Sequence, residues 1–233
     1  MRDRQKAYDW ETLLAHAALL QEKVPSAVLV GGTAAALHAG HRVSFDHDHV
    51  LKDLTNHYDE AIAALESIAG WHTKRRIRGK LILGDIGGIE GGLRAQRRSA
   101  PLETTSMKAP DGKALKVPTI EEMLRIKAFL VVERNATRDY LDVAALSHSL
   151  GTVRSVRSLE RMTDLYSEFT GEAGDILTSV VVKLASPDPY DLTEVDLSEY
   201  KGIIAPWDNW DSVTNQCRSL AVAVLRKRPF RAP

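Results

Sequence analysis

Val28-Leu29-Val30-Gly31-Gly32-Thr33, followed by Arg42-Val43-Ser44-Phe45-Asp46-His47-Asp48, is the stretch whose reading decides the fold. Three apolar residues run as a strand into a Gly-Gly turn. A short alanine-rich helix follows and breaks near Gly40, and a second strand covers Phe45 to Leu51. On a strand, residues i and i+2 share a face about 6 to 7 Å apart, so Asp46 and Asp48 point the same way. Two carboxylates at that spacing repel each other unless a cation sits between them. Hard oxygen ligands favour magnesium or manganese over zinc. A glycine turn that opens a helix offers backbone N–H groups to a phosphate, with Thr33 as the expected N-cap. A Gly-Gly alone is commonly just a turn, and Asp-x-Asp recurs by chance. Their order within one strand-helix-strand unit is what points to nucleotide chemistry.

Working outward, Trp10, Leu13, Leu14, Ala17 and Leu20 form the stripe of a helix expected over 7–22. Tyr58, Ile62, Leu65 and Ile68 form the stripe of another, with Gly70 as its expected C′ residue. From Trp71 to about Thr105 the text is strand-like, with glycine turns expected at Gly87-Gly88 and Gly91-Gly92. Thr119-x-x-Glu122 is a capping box that starts a run of helices, about 119–134, 137–149, 155–169, 172–184 and 209–226. Ser186-Pro187-Asp188-Pro189 opens a turn-rich connection to Tyr200. The expected class is therefore α+β. A small mixed β-sheet core with flanking helices occupies residues 1–118, and a helical region that completes the site occupies 119–233.

Composition bounds the partners. The 233 residues are 44% hydrophobic and 27% charged, as in an ordinary globular protein, and the formal net charge is zero. No global basic field recruits a nucleic acid, so RNA contact must come from local patches such as Lys74-Arg75-Arg76-x-Arg78-x-Lys80, with Arg94, Arg97 and Arg98 downstream. Such a run can equally be a solvated strand edge. Cys217 is the only cysteine, which excludes an intrachain disulfide and a cysteine zinc cage. No secretory segment and no apolar run of membrane-spanning length is read, so the expected location is cytoplasmic.

A second constellation lies on the helices. Lys127 precedes a break at Arg134-Asn135-Ala136, and Arg138, Asp139 and Asp142 follow an N-cap expected at Thr137. If the two helices fold as a hairpin, Lys127 meets Asp142 across the turn. Charged residues at helical spacing also commonly decorate a wet surface.

Together, Gly31-Gly32-Thr33, Arg42-x-Ser44-x-Asp46-x-Asp48, Lys127 and Arg138-Asp139-x-x-Asp142 resemble the AbiEii/MenT-type nucleotidyltransferases. These are toxins of type IV toxin–antitoxin systems within the polymerase-beta-like nucleotidyltransferase superfamily. The resemblance implies that Asp46 and Asp48 bind Mg2+ (or Mn2+), that Lys127 holds nucleotide phosphates, and that Asp142 completes the acidic centre. It also implies a nucleotide seat at Gly31, Gly32, Thr33, Arg42, Ser44 and Lys127, with Arg42 either orienting the triphosphate or pinning its loop. The implied partners are a nucleoside triphosphate, RNA (the tRNA 3′ end) and a cognate antitoxin, with no membrane. Ser44 is a candidate phosphorylation site, where added charge would repel a triphosphate. One departure stands out: the stretch where many superfamily members carry a third metal-binding carboxylate reads Gly91-Gly92-Leu93-Arg94.

Three rivals remain. One is an antibiotic nucleotidyltransferase, and another is a catalytically weak nucleotide-binding regulator. The third is a zinc site built from His38, His41, His47 and His49, which needs three or four converging ligands.

Overall fold

The computed structural model describes residues 10–171, 174–200 and 202–227. The chain divides into two compact units. The first comprises the described residues up to Ala34 together with Ser44–Pro118, and the second comprises Ala35–Val43 together with the chain from Thr119 onward. The short segment 35–43 thus goes with the helical unit rather than with the sheet, where a division at 118 alone would leave it.

The first unit begins with α1 (Trp10–Lys23), which buries Leu13, Leu14, Ala17, Ala18 and Leu20. Residues 7–9 of the helix expected there lie outside the described residues. The strand β1 (Val28–Leu29) leads into α2 (Gly31–Ala39), and β2 (Asp46–Leu51) follows. Next come α3 (Tyr58–Glu66), β3 (Trp71–Ile77), β4 (Leu81–Ile86) and β5 (Ile89–Ala95). The five strands form one mixed sheet in the order β1-β2-β5-β4-β3, in which only β2 and β5 run parallel. Gly87-Gly88 makes the β4–β5 turn, with positive φ at both glycines. Gly91-Gly92, expected as a turn, lies inside β5 instead. Likewise α3 ends at Ser67, so Gly70 follows the helix without being its C′ residue. One sheet face packs Leu51, Trp71, Ile82, Ile86 and Leu93 against Leu20 of α1 and Tyr58, Ala61 and Leu65 of α3. A hairpin of β6 (Thr104–Lys108) and β7 (Ala114–Pro118) completes the unit.

The second unit is helical. Its first helix, α4 (Ile120–Arg134), is capped by Thr119, whose hydroxyl accepts from the Glu122 amide at 3.2 Å. The Glu122 carboxylate turns inward to a buried ion pair with Arg125 at 2.7 Å. Asn135 ends the helix in the left-handed conformation, φ 49°. The next helix, α5 (Thr137–Leu150), is not capped by Thr137, which is already helical. Asp191 does that work from 54 residues away, accepting from the Thr137 amide and hydroxyl at 2.7 and 2.8 Å. The helix expected over 155–169 is two, α6 (Thr152–Glu160) and α7 (Met162–Leu165), parted at Arg161. A two-residue hairpin, Thr170–Gly171 with Gly174–Asp175, then precedes α8 (Ile176–Ala185), capped by Asp175. Residues 172–173 of the helix expected there are outside the described residues. The last helix is α9 (Trp210–Lys227), whose buried face carries Val213, Cys217, Leu220, Ala221 and Val224. No helix among the described residues is long and apolar enough to cross a membrane.

Candidate active site

The strand β2 sorts its side chains by alternation. Asp46 is exposed and Asp48 half-buried, while His47 and His49 between and beyond them are fully buried. Both carboxylates therefore share one face of the sheet, and the histidines enter the packed face. Ser44 donates to Asp46 Oδ1 at 3.0 Å. The residue as a whole is buried, so little of it is offered to a modifying enzyme.

The glycine turn lies against these acids. Gly31 has φ +73°, a left-handed conformation that favours glycine. A Cβ there would stand 3.5 Å from Asp48 Cβ. The Val30 amide donates to the Asp48 carbonyl at 2.8 Å, so the start of α2 is bound to the strand that carries the acids. Thr33 is not the N-cap, because the helix begins at Gly31, two residues earlier. Its buried hydroxyl instead donates to the Asp46 carbonyl and fixes the first turn to β2.

The position of the third carboxylate is filled differently. In the parallel register Asp46 faces Glu90, and Asp48 faces Gly92. A Cβ at Gly92 would lie 2.1 Å from the Ile82 carbonyl oxygen, and one at Gly91 would lie 2.2 Å from the His47 ring. Neither position can carry an acid. Two residues on, Arg94 places Nε 3.3 Å from Asp48 Oδ1. Glu90 is held by Lys74 at 2.9 Å, and the same ammonium reaches Asp85 at 3.3 Å.

Two aspartates on one face, beside a helix start, are a set of hard oxygen donors, the kind that suits magnesium or manganese. They do not fit zinc. Among the described residues no three His, Cys, Asp or Glu side chains converge on a cation position. His47 and His49 lie on the buried face, and His41 is engaged by Asp142.

The second unit holds its own charge cluster. Asp142 is fully buried and accepts from His41 Nε2 at 2.7 Å and from Arg42 Nε and Nη2 at 2.9 and 3.1 Å. Lys127 Nζ lies 2.6 Å from Oδ2, the oxygen that also accepts from Arg42 Nη2. Burial alone would raise this carboxyl, but the guanidinium of Arg42, the ammonium of Lys127 and the His41 bond hold it well below the usual carboxylate range. Asp139 is also buried, paired with Lys127 at 3.4 Å and Arg134 at 2.8 Å.

This geometry bears on three of the expected site residues. Lys127 is 2% exposed and committed to two carboxylates, so its ammonium does not present itself to a phosphate. Asp142 spends both oxygens on protein cations rather than on an acidic metal centre. Of the two roles open to Arg42, the structure shows the pinning one, with a bidentate bond to Asp142 and Tyr200 stacked 5.8 Å from the guanidinium. The loop is pinned a second time where the Ile204 amide donates to the His41 carbonyl at 3.1 Å.

No protein-family profile matches the chain. Among solved structures, JHP933 from Helicobacter pylori superposes with a TM-score of 0.53 over 93% of this chain and 91% of that one, at 18% identity. A second H. pylori protein, assigned provisionally by its name to the nucleotidyltransferases, gives 0.53 over 93% and 94% at 17% identity. The chain has a nucleotidyltransferase-like fold. Among curated sequences, the heme uptake protein MmpL11 of Mycobacterium tuberculosis is 34% identical over 131 residues, which are 56% of this chain. The aligned stretch spans only 13% of that relative's length.

Proposed function

We propose that this protein is a metal-dependent nucleotidyltransferase. It would move a nucleoside monophosphate from a nucleoside triphosphate to an acceptor hydroxyl, with release of pyrophosphate. The observation that carries the reading is the pair Asp46 and Asp48 on one open sheet face beside the Gly31 helix start, within this fold. Those two carboxylates would hold a magnesium or manganese ion, which supplies the acidity that ionises the acceptor hydroxyl and the charge that stabilises the leaving pyrophosphate. The amides at the start of α2 point their positive end at the same place and would seat triphosphate oxygens. Ser44 fixes the Asp46 carboxylate through its hydrogen bond, leaving the second oxygen of that group for a ligand. Phosphoryl chemistry asks the protein mainly for positioning and charge, and these parts supply both. Lys127 and Asp142 act in this reading as positioning residues: Lys127 and the bonds from His41 and Arg42 all converge on Asp142 within the second unit.

The acceptor we propose is RNA, the tRNA 3′ end, in the setting of a toxin held in check by a cognate antitoxin. The support is the motif resemblance and the exposed arginines of β3, Arg75 and Arg76, which suit phosphate contacts. The test is purified protein with α-labelled triphosphates, magnesium and tRNA, beside a panel of aminoglycosides. Label on tRNA, lost on the order of a thousandfold in Asp46→Asn, is the expected result. Label on the drugs alone moves the acceptor to a small molecule. Undiminished transfer by Asp46→Asn removes the assignment.

A further inference from the structure

We propose that Arg94 couples metal binding to nucleotide binding. Its guanidinium holds Asp48 before the nucleotide arrives and passes to a triphosphate oxygen when metal and nucleotide enter together. The inference rests on the reading of Asp46 and Asp48 as metal ligands and adds a residue that this reading does not contain.

The geometry is that of a tethered counter-ion. Arg94 sits near the end of β5, in register with Val50 of β2 on one side and Leu81 of β4 on the other, so its Cα is fixed by both ladders. Its side chain is 47% exposed, which leaves the guanidinium free to turn about a fixed stem. The contact to Asp48 is diagonal across the ladder. It spans the position of Gly92, where no side chain intervenes and none can be built. A cation thus stands on the strand, and close to the place, where an acid would make a second metal position.

The chemistry follows from charge. An arginine and a divalent cation compete for the same carboxylate and repel each other, so metal alone must displace the guanidinium at a cost. The planar fork of donors that suits a carboxylate suits a phosphate equally well. A triphosphate brings enough negative charge to hold both cations, and metal and nucleotide then bind each more tightly in the presence of the other. The reciprocity is thermodynamic: whatever factor nucleotide adds to metal affinity, metal adds to nucleotide affinity.

The test is a manganese titration followed by electron paramagnetic resonance, which reads the free ion and not turnover. It is made with and without a triphosphate whose α–β bridge cannot be cleaved. Arg94→Ala should bind manganese alone roughly two- to fivefold more tightly than the parent, the range expected for releasing a half-exposed ion pair. The factor by which the analogue tightens manganese should shrink by roughly tenfold, as a charge-assisted phosphate bond is lost. Arg94→Lys, which keeps the charge but not the fork, should fall between. Circular dichroism establishes that the variants fold. Equal manganese affinity and equal enhancement in parent and Arg94→Ala overturn the inference, provided Asp46→Asn abolishes binding. A parent protein that binds no manganese, with or without the analogue, overturns the acidic-site reading and this inference with it.

Discussion

Acidification should destabilise the first unit through the buried histidines behind the acidic face, and His49 gives the effect a size. Its ring is fully buried, with Nδ1 3.1 Å from the His47 carbonyl. Burial pushes its pKa down from 6.5 to about 4. His47, 5.6 Å away between ring centroids, is pushed well down by burial and then by the charges that His49 and His16 would carry. His16, 6.5 Å from His47, is lowered by burial as well. Because the folded pKa lies below the unfolded one, the unfolded chain takes up the proton first. Stability is therefore full above about pH 6.5 and falls as the pH drops toward 4. From 6.5 to about 4 is about 2.5 pH units, which at about 1.4 kcal/mol each comes to about 3 kcal/mol from His49 alone. Urea denaturation at steps from pH 7.5 to 4.5, with chelator present, measures it in the parent and in His49→Leu. Any fixed cost of the substitution offsets the whole curve, and carboxylates titrate alike in both proteins, so the informative quantity is the difference in slope. The parent should lose stability more steeply between pH 6.5 and 4.5, by about 1 kcal/mol per pH unit where the difference is greatest. Parallel curves for the two proteins would refute the reasoning.

Gly91→Ala should cost about 1–3 kcal/mol, since the new methyl would lie 2.2 Å from the His47 ring and strand and ring must shift; a melting curve reads the loss. The damage should be partly relieved in a Gly91→Ala, His47→Ala double variant, and an unrelieved loss would show that the ring is not the obstacle. Asp142→Asn should cost about 3–5 kcal/mol, because it strips the buried cations Arg42 and Lys127 of their shared carboxylate. Urea midpoints within about 0.5 kcal/mol of the parent would mean that Asp142 is not the residue holding that cluster together.

What could be read from the sequence is what depends on neighbours in the chain. Asp46 and Asp48 sit two apart on an extended segment, and alternation alone puts them on one face. Thr119 caps α4 because the amide it accepts from is three residues on. What escaped reading depends on residues far away. Thr137 looks like a cap in sequence, but the group that caps α5 is Asp191, brought in by the fold of the connection after α8. The spacing of Lys127 and Asp142 is the same whether a helix hairpin is wet or dry. Only the packing of the second unit shows that both are buried and that His41 and Arg42 share Asp142 with Lys127. His41 stands out in the sequence only as one of the four histidines between residues 38 and 49, and nothing near it in the chain points to Asp142 as its partner. The glycine signal misled for a related reason: glycine marks a turn when the backbone needs a positive φ, and it marks a strand when a neighbour needs the room.

That second use of glycine ties the departure at β5 to the pattern of β2. The sequence Asp46-His47-Asp48-His49 places an imidazole on the packed face wherever it places a carboxylate on the open one. An imidazole at His47 fills the space above β5, and Gly91 is the residue that gives it that space. Gly92 has its own constraint, since the Ile82 carbonyl stands where its Cβ would be. With residue 92 reduced to glycine, the side chain of β5 that reaches Asp48 on the open face comes from residue 94, and it is an arginine. The missing acid is thus coupled to how β5 is seated against β4, and not only to the chemistry in front. Restoring a carboxylate opposite Asp48, at residue 92, would require moving the Ile82 carbonyl first. For that reason Gly92→Asp, taken alone, should unfold the sheet rather than create a second metal position.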